Sequence, residues 1–475
     1  MKKELLDASF VRREMAWWNV PGVQIGVVRA DSNGNPETLY SSGFGFRDVE
    51  HDLPMTSDSL GGIASCSKAF TAAIVASLVE EGKLDWDRPI REYLPFFALK
   101  DPFAAAECTL RDMLYHRTGI AGHDALWPNP DWSRRDYFEH AAHMTPNKPF
   151  RSVAQYNNTI YNLIGMIAEE VTGESYADLL RTRILEPLEM TRSCLTLQHQ
   201  RADTDWARGY FSEDIGPASP LRPMDGWEMS PLGDPAAGIY SCASDMTHWL
   251  TLHLSRGVYK GKRIFSTAVM DEMHEPALRM SPFPWRFEEI PGYGFYGMAW
   301  KTAVYRGLTM TYHMGEIEGY CSSTVFFPQK GLGIFVLCNR HTMMSPFLME
   351  LVYTAADAAL GYESPDWANR LHPYARDFSG PCEAWSLDLM PHPTSSPAVF
   401  DADDYADCAG TYVSDVYGTM TLQHGADGKS VGVSYMPLGR DPSPVSLYLR
   451  FKDWLLPLEP APECGRDVFR IRNFK

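Results

Sequence analysis

The 475-residue chain has no block of Lys and Arg: 43 basic residues stand against 60 acidic ones, a formal net charge of −17. That balance repels phosphate backbones and argues against nucleic acid as a partner. No apolar run approaches the ~20 residues that cross a bilayer, so no membrane partner is expected. The opening segment, Met1 to Asp7, starts basic but lacks the ~7–15-residue apolar stretch of a secretory signal. Nine cysteines, from Cys66 to Cys464, are odd in number and irregularly spaced, and no C-x-x-C pair occurs. Neither a disulfide framework nor a zinc cage is indicated. The thiols read as buried and reduced, as in the cytoplasm. No H-E-x-x-H or comparable pattern joins His116, His123, His140 and His143, so no metal and no cofactor is expected. His116 reads instead as a stabiliser of the turn before Gly119.

What is present is core-forming material. A hydrophobic content of 45% with 12% aromatics suits a packed interior, and the length suits a large domain plus a smaller one. Val23 to Val28 and Thr38 to Ser41 flank the turn-rich Asp31 to Pro36, which predicts a hairpin. Ser323 to Phe327 and Ile334 to Leu337, around Pro328-Gln329-Lys330-Gly331, predict a second. Residues 67–81 carry Phe70, Ile74 and Leu78 at helical spacing before Gly82, and 159–171 carry Ile160, Leu163, Ile164 and Ile167 before Gly173. Strands from both chain ends with helices between them predict an α/β fold: an antiparallel sheet flanked by helices, plus a helical lobe. Proline-rich 217–235 and 276–291 read as long surface loops. The main domain is expected over 1–370. A linker over 371–400 follows, centred on the Pro/Ser stretch 391–397, then a small antiparallel β domain over 401–475.

Ser65-Cys66-Ser67-Lys68 opens the first predicted helix. Spacing i, i+3 puts Ser65 and Lys68 on one face, and a helix start offers free N–H groups to an anionic oxygen. A serine hydroxyl needs a base. Lysine serves if burial lowers its pKa from ~10.4 toward ~7–8, at roughly 4 kcal/mol of lost charge solvation. Cys66 points off that face and reads as buried. Alone, S-x-x-K is weak evidence, and Ser65 could be a plain helix N-cap. Tyr156-Asn157-Asn158 before the second helix and His313-Met314-Gly315 at a strand end add context. Tyr161 competes with Tyr156, but Leu163 rather than Asn follows it by two. His313 as an ordinary polar strand residue, and Glu316 and Glu318 as a solvated loop, are the bland alternatives.

Together these three motifs resemble those of the serine β-lactamase and penicillin-binding-protein superfamily, in its branch of class C β-lactamases, D-aminopeptidases and esterases. The likeness covers roughly residues 10–360 and includes Gly43 to Asp48, Thr109 to Ile120, Tyr156 to Gly173 and Pro235 to Ser241. It implies that Ser65 becomes acylated while Lys68 and Tyr156 share the general-base work. Asn158 would bind substrate or orient Lys68, and the N–H groups of Ser65 and Glu316, after Gly315, would form the oxyanion hole. His313 departs from the usual Lys-Thr-Gly, leaving less fixed positive charge. With Glu316 and Glu318 beyond it, this weakens the case for gripping a substrate carboxylate. The β domain from Tyr405 onward looks like a lipocalin-like appendage that would shape the entrance or mediate assembly.

The resulting expectation is a metal-free hydrolase acting through an acyl-enzyme on a small-molecule or short-peptide substrate. A peptidase or amidase preferring D-residues stands ahead of a carboxylesterase and a β-lactamase. An acylated sensor with slow turnover and a non-catalytic scaffold are the competitors from other classes. Homo-oligomerisation is left open.

Overall fold

Alternating Val23, Ile25 and Val27 on one side and Gln24, Gly26 and Val28 on the other make Gly22–Ala30 (β1) a strand buried on both faces. It turns back as Pro36–Asp48 (β2), which pairs with Leu53–Pro54 (β3). More than 200 residues later the chain returns to the same sheet through Leu278–Arg279 (β4), Gly294–Tyr296 (β5) and Lys301–Tyr305 (β6). Leu308–Ile317 (β7), Tyr320–Phe327 (β8) and Leu332–Cys338 (β9) complete it. The order is β4-β5-β6-β7-β8-β9-β1-β2-β3, antiparallel throughout, and the first and last hairpins meet where Val23 faces Cys338 and Val27 faces Ile334. Both expected hairpins are therefore present.

Helices cover both faces. Ala8–Trp18 (α1) and Ser345–Leu360 (α5) share a core cluster with Val23, Ile25, Val27, Ile334 and Val336. On the other face Ala243–Leu254 (α4) lies so close that a Cβ on Gly26 would come within 3.0 Å of the Ala243 carbonyl and the Thr247 methyl. The helical lobe centres on Ser67–Glu80 (α2), buried on nearly every side because Ala69, Ala72, Ala73 and Ala76 let neighbours approach. Against it packs Asn158–Thr172 (α3), capped by the Asn157 side chain and ended at Gly173 in the left-handed region.

The computed structural model describes residues 5–375, except 124–131, 213–215, 217–218, 225–229, 281–282 and 342–344. Beyond them it describes 410–415, 418–424, 447–451, 454–460 and 469–471. The chain divides into two compact units, Met1–Gly380 and Pro381–Lys475. In the second, Gly410–Ser414 (β10), Gly418–His424 (β11), Leu447–Phe451 (β12), Trp454–Pro460 (β13) and Phe469–Ile471 (β14) pair in sequence as an antiparallel sheet. Most of the expected linker 371–400, Tyr405 to Ala409, and residues 425–446 of the expected β domain lie outside the described residues.

Two loop expectations need correcting. Within 217–235, Pro231–Gly233 and Asp234–Ala237 are helical turns, and Pro235 and Ala236 are buried against α2 and α3. Within 276–291, Phe283 and Trp285 stack at 4.7 Å and sink into the core. Proline there pre-sets turn dihedrals; the apolar residues beside it decide burial. Among the described residues no helix is long and apolar enough to cross a membrane, and the six described cysteines are free thiols, five of them buried.

Candidate active site

Ser65 sits in a short 3-10 turn, Ala64–Cys66, that leads directly into α2. Its predecessor Ala64 is held at φ 50°, a left-handed conformation costing a residue with a Cβ about 1–3 kcal/mol. The surrounding clamps explain why it persists. Ser322 of β8 donates to the Ile63 carbonyl at 2.7 Å, and the Cys66 thiol donates to the His313 carbonyl at 3.3 Å. Ser67 accepts from the Ile239 N–H at 3.1 Å. Strand β7 runs so close to this turn that a Cβ on Gly315 would lie 2.2 Å from the Ile63 oxygen. Only glycine fits there.

Lys68 is fully buried one turn later. Its Nζ lies 3.0 Å from Ser65 Oγ, 2.7 Å from Asn158 Oδ1 and 2.9 Å from the Ala236 carbonyl. Ala236 is itself fixed by its N–H, which donates to Asn162 Oδ1 at 3.0 Å. Sequence reading placed Asn158 here but missed Ala236, since a backbone carbonyl leaves no signature. The Tyr156 ring centroid is 4.7 Å from Lys68 Nζ. The competing Tyr161 has its ring at 5.4 Å, but its hydroxyl donates to the Lys68 carbonyl at 3.3 Å and burial raises its pKa well above the usual phenol value. Tyr161 thus supports the helix.

His313 faces this group from β7, its ring 6.2 Å from that of Tyr156. Its Nδ1 lies 2.6 Å from the Met314 carbonyl, so that nitrogen carries the proton. Burial, with the charges of Lys301 and Lys68, holds its pKa well below the usual histidine range. The site therefore has a neutral imidazole where Lys-Thr-Gly sites place an ammonium. Glu316 is exposed, 3.9 Å from His341 Nε2, whereas burial pushes the Glu318 carboxyl up to about 8. At neutral pH Glu318 is mostly protonated, so it does not supply the fixed negative charge its position suggested.

His116 does more than stabilise a turn. The residue is buried at φ 55°, and its carbonyl accepts from the Gln155 N–H at 2.7 Å. Its Nδ1 accepts from the Asn157 N–H at 3.1 Å, which fixes the backbone between Tyr156 and Asn158. Its Nε2 lies 3.1 Å from the Tyr296 hydroxyl, which lies 3.3 Å from His313 Nε2. Tyr296 was not singled out from sequence, for nothing local marks it. Among the described residues the cluster that brings three metal-ligating side chains within 4.8 Å is Glu14, Glu350 and His372, on α1, α5 and the turn after them. None of the residues around Ser65 belongs to it.

The beta-lactamase family profile matches residues 8–358, nearly three quarters of the chain. This chain belongs to the beta-lactamase family. Within the curated proteins, the unguisins hydrolase ungD' of Aspergillus campestris is 26% identical over 370 residues, covering 74% of this chain and 65% of that protein. The chain thus spans just under two thirds of that relative's length. Of solved structures, the octameric penicillin-binding protein homologue from Pyrococcus abyssi aligns with a TM-score of 0.60 at 24% identity, over 97% of this chain and 94% of its own. A D-stereospecific amidohydrolase from Streptomyces sp. aligns with a TM-score of 0.54 at 19% identity, over 70% and 95%. Likeness to these structures shows the fold, an antiparallel sheet with flanking helices, and the profile match shows the family. Substrate is a separate question.

Proposed function

We propose that the protein hydrolyses small amides or short peptides, with a preference for D-residues, through an acyl-enzyme on Ser65. Ser65 Oγ attacks the carbonyl carbon while its proton passes to the Lys68–Tyr156 pair, treated as one proton-sharing unit. The N–H groups of Ser65 and Glu316 hold the tetrahedral oxyanion. Collapse expels the amine, which takes the proton from the same pair. Water then cleaves the acyl–oxygen bond of Ser65, the pair accepting and returning its proton. The observation that carries this reading is the 3.0 Å contact between Lys68 Nζ and Ser65 Oγ, with Asn158 Oδ1 on the same nitrogen at 2.7 Å.

Amide cleavage is supported by the amidohydrolase named among the similar structures. The uncharged His313 disfavours substrates gripped by a carboxylate, so a carboxylesterase is second and a β-lactamase third. The octameric neighbour supports a homo-oligomer, and the sheet β10–β14 fits a lipocalin-like appendage. A fluorophosphonate probe tests the nucleophile: it labels the wild type and not Ser65→Ala, and equal labelling refutes the assignment. A D-aminoacyl anilide, a nitrophenyl ester and a chromogenic cephalosporin then rank the substrates, with turnover falling in that order.

A further inference from the structure

We propose that Tyr296 is a positioning residue, whose hydroxyl couples the Y-x-N segment to the H-x-G strand through His116 and His313 and fixes His313 as a ring with no free N–H. The inference rests on the functional reading above, because it concerns how the site around Ser65 is assembled.

Two backbone groups fix the direction of the chain. The Asn157 N–H can only donate, so His116 Nδ1 must be the bare nitrogen and His116 Nε2 must carry the proton. The Met314 carbonyl can only accept, so His313 Nδ1 carries its proton and His313 Nε2 is bare. Between them the Tyr296 hydroxyl accepts from His116 Nε2–H at 3.1 Å and donates to His313 Nε2 at 3.3 Å. One donor meets one acceptor at every link. Reversing the order would set backbone N–H against ring N–H at one end and leave two lone pairs facing at the other, both in a buried setting.

This chain spans three separate pieces of the fold: the turn at His116, the short strand β5 next to the sheet edge and strand β7. All three rings are buried. The charged and titratable groups near them are Lys68, Lys301, Tyr156 and Tyr161, and the two lysines disfavour a proton on either histidine. Tyr296 therefore sets the gap across which Tyr156 and Asn158 on one side face Gly315 and Glu316 on the other. It also consumes the Nε2 lone pair of His313. The substrate atom nearest that position meets a neutral ring with both nitrogens engaged, which disfavours an acyl portion bearing a carboxylate.

Tyr296→Phe keeps the ring and removes the link. For the best substrate of the panel, kcat is expected to fall roughly 10- to 100-fold, the scale set by a misplacement on the order of 1 Å, while KM stays within about threefold. A variant with kcat within about twofold of wild type overturns the proposal. Should this variant fail to fold, 15N spectra of wild-type histidines decide the matter, assigned by the signals lost in His116→Gln and His313→Gln. His116 must appear as the Nε2–H tautomer and His313 as the Nδ1–H tautomer, neither titrating between pH 5 and 8. The opposite tautomer in either ring, or a titration near ~6.5, overturns it. If Ser65→Ala still takes the fluorophosphonate, the nucleophile assignment has failed. If only the wild type is labelled but Tyr296→Phe is fully active, the relay alone has.

Discussion

The two walls of the site use opposite electrostatics. On the helix side, Lys68 is buried but surrounded by oxygens from Ser65, Asn158 and Ala236. On the strand side, His313 is equally buried and its oxygen partners are a carbonyl and a phenol, neither of which offers a charge. An amine ringed by acceptors can hold or release a proton beside the Ser65 hydroxyl. An imidazole locked between a carbonyl and a hydroxyl cannot. The difference shows that burial alone does not decide which group does proton chemistry; the direction of the surrounding dipoles does.

The sharpest way to break this comparison is to empty the helix side. Lys68→Met removes the group facing Ser65 while keeping the stem, and kcat/KM is expected to drop roughly 10²- to 10⁴-fold. A loss below about tenfold, measured on the anilide, would return the base role to Tyr156 alone. Next comes the contact between the walls. Gly315→Ala drives a Cβ to 2.2 Å from the Ile63 carbonyl, and overpacking of this kind costs about 1–3 kcal/mol. Urea denaturation should show that loss along with slowed fluorophosphonate labelling. Unchanged labelling would mean that the strand does not position the Ser65 turn.

The strand side also predicts two pH effects of opposite sign. The folded pKa of His313 lies below its unfolded value of ~6.5, so stability is present above that pH and lost as the solution becomes more acidic. Between pH 6.5 and 5, wild type should therefore lose stability relative to His313→Gln. Glu318 is the reverse case. Its folded pKa of about 8 lies above the ordinary value, so stability is lost as pH rises from about 5 through 8. Glu318→Gln should gain roughly 2 kcal/mol on wild type between pH 6 and 8.5. Urea midpoints at pH 5, 6, 6.5 and 8.5 check both, and parallel curves for wild type and variant would refute the assigned burial. The smallest effect belongs to Ser322→Ala, which deletes the donor to Ile63 and should cost about 1 kcal/mol with little change in KM.

Periodicity made much of this legible beforehand. Val23, Ile25 and Val27 announced β1, Phe70, Ile74 and Leu78 announced α2, and Gly173 marked the end of α3. The spacing of Ser65 and Lys68 predicted their contact because i, i+3 neighbours on a helical turn must face one way. What stayed hidden was contributed by partners distant in sequence. Ala236 acts through its carbonyl, Tyr296 through a hydroxyl from a three-residue strand, and Trp285 through burial that its proline neighbours disguised. His116 was read only as a turn stabiliser, since its link to Asn157, 41 residues away, leaves no local mark. The charge on Glu318 was also misread, because a loop position says nothing of how far the carboxyl sinks.

The meeting of β1 with β9 has a consequence for biosynthesis. Val23 finds its sheet neighbour Cys338 only after some three hundred further residues have been made. Throughout that interval the emerging N-terminal hairpin offers an open, apolar edge to anything nearby, and such non-local pairing is slow to form. A nascent chain halted before Leu332 should therefore remain protease-sensitive and bound by chaperones, and release should coincide with the emergence of the last strand from the ribosome.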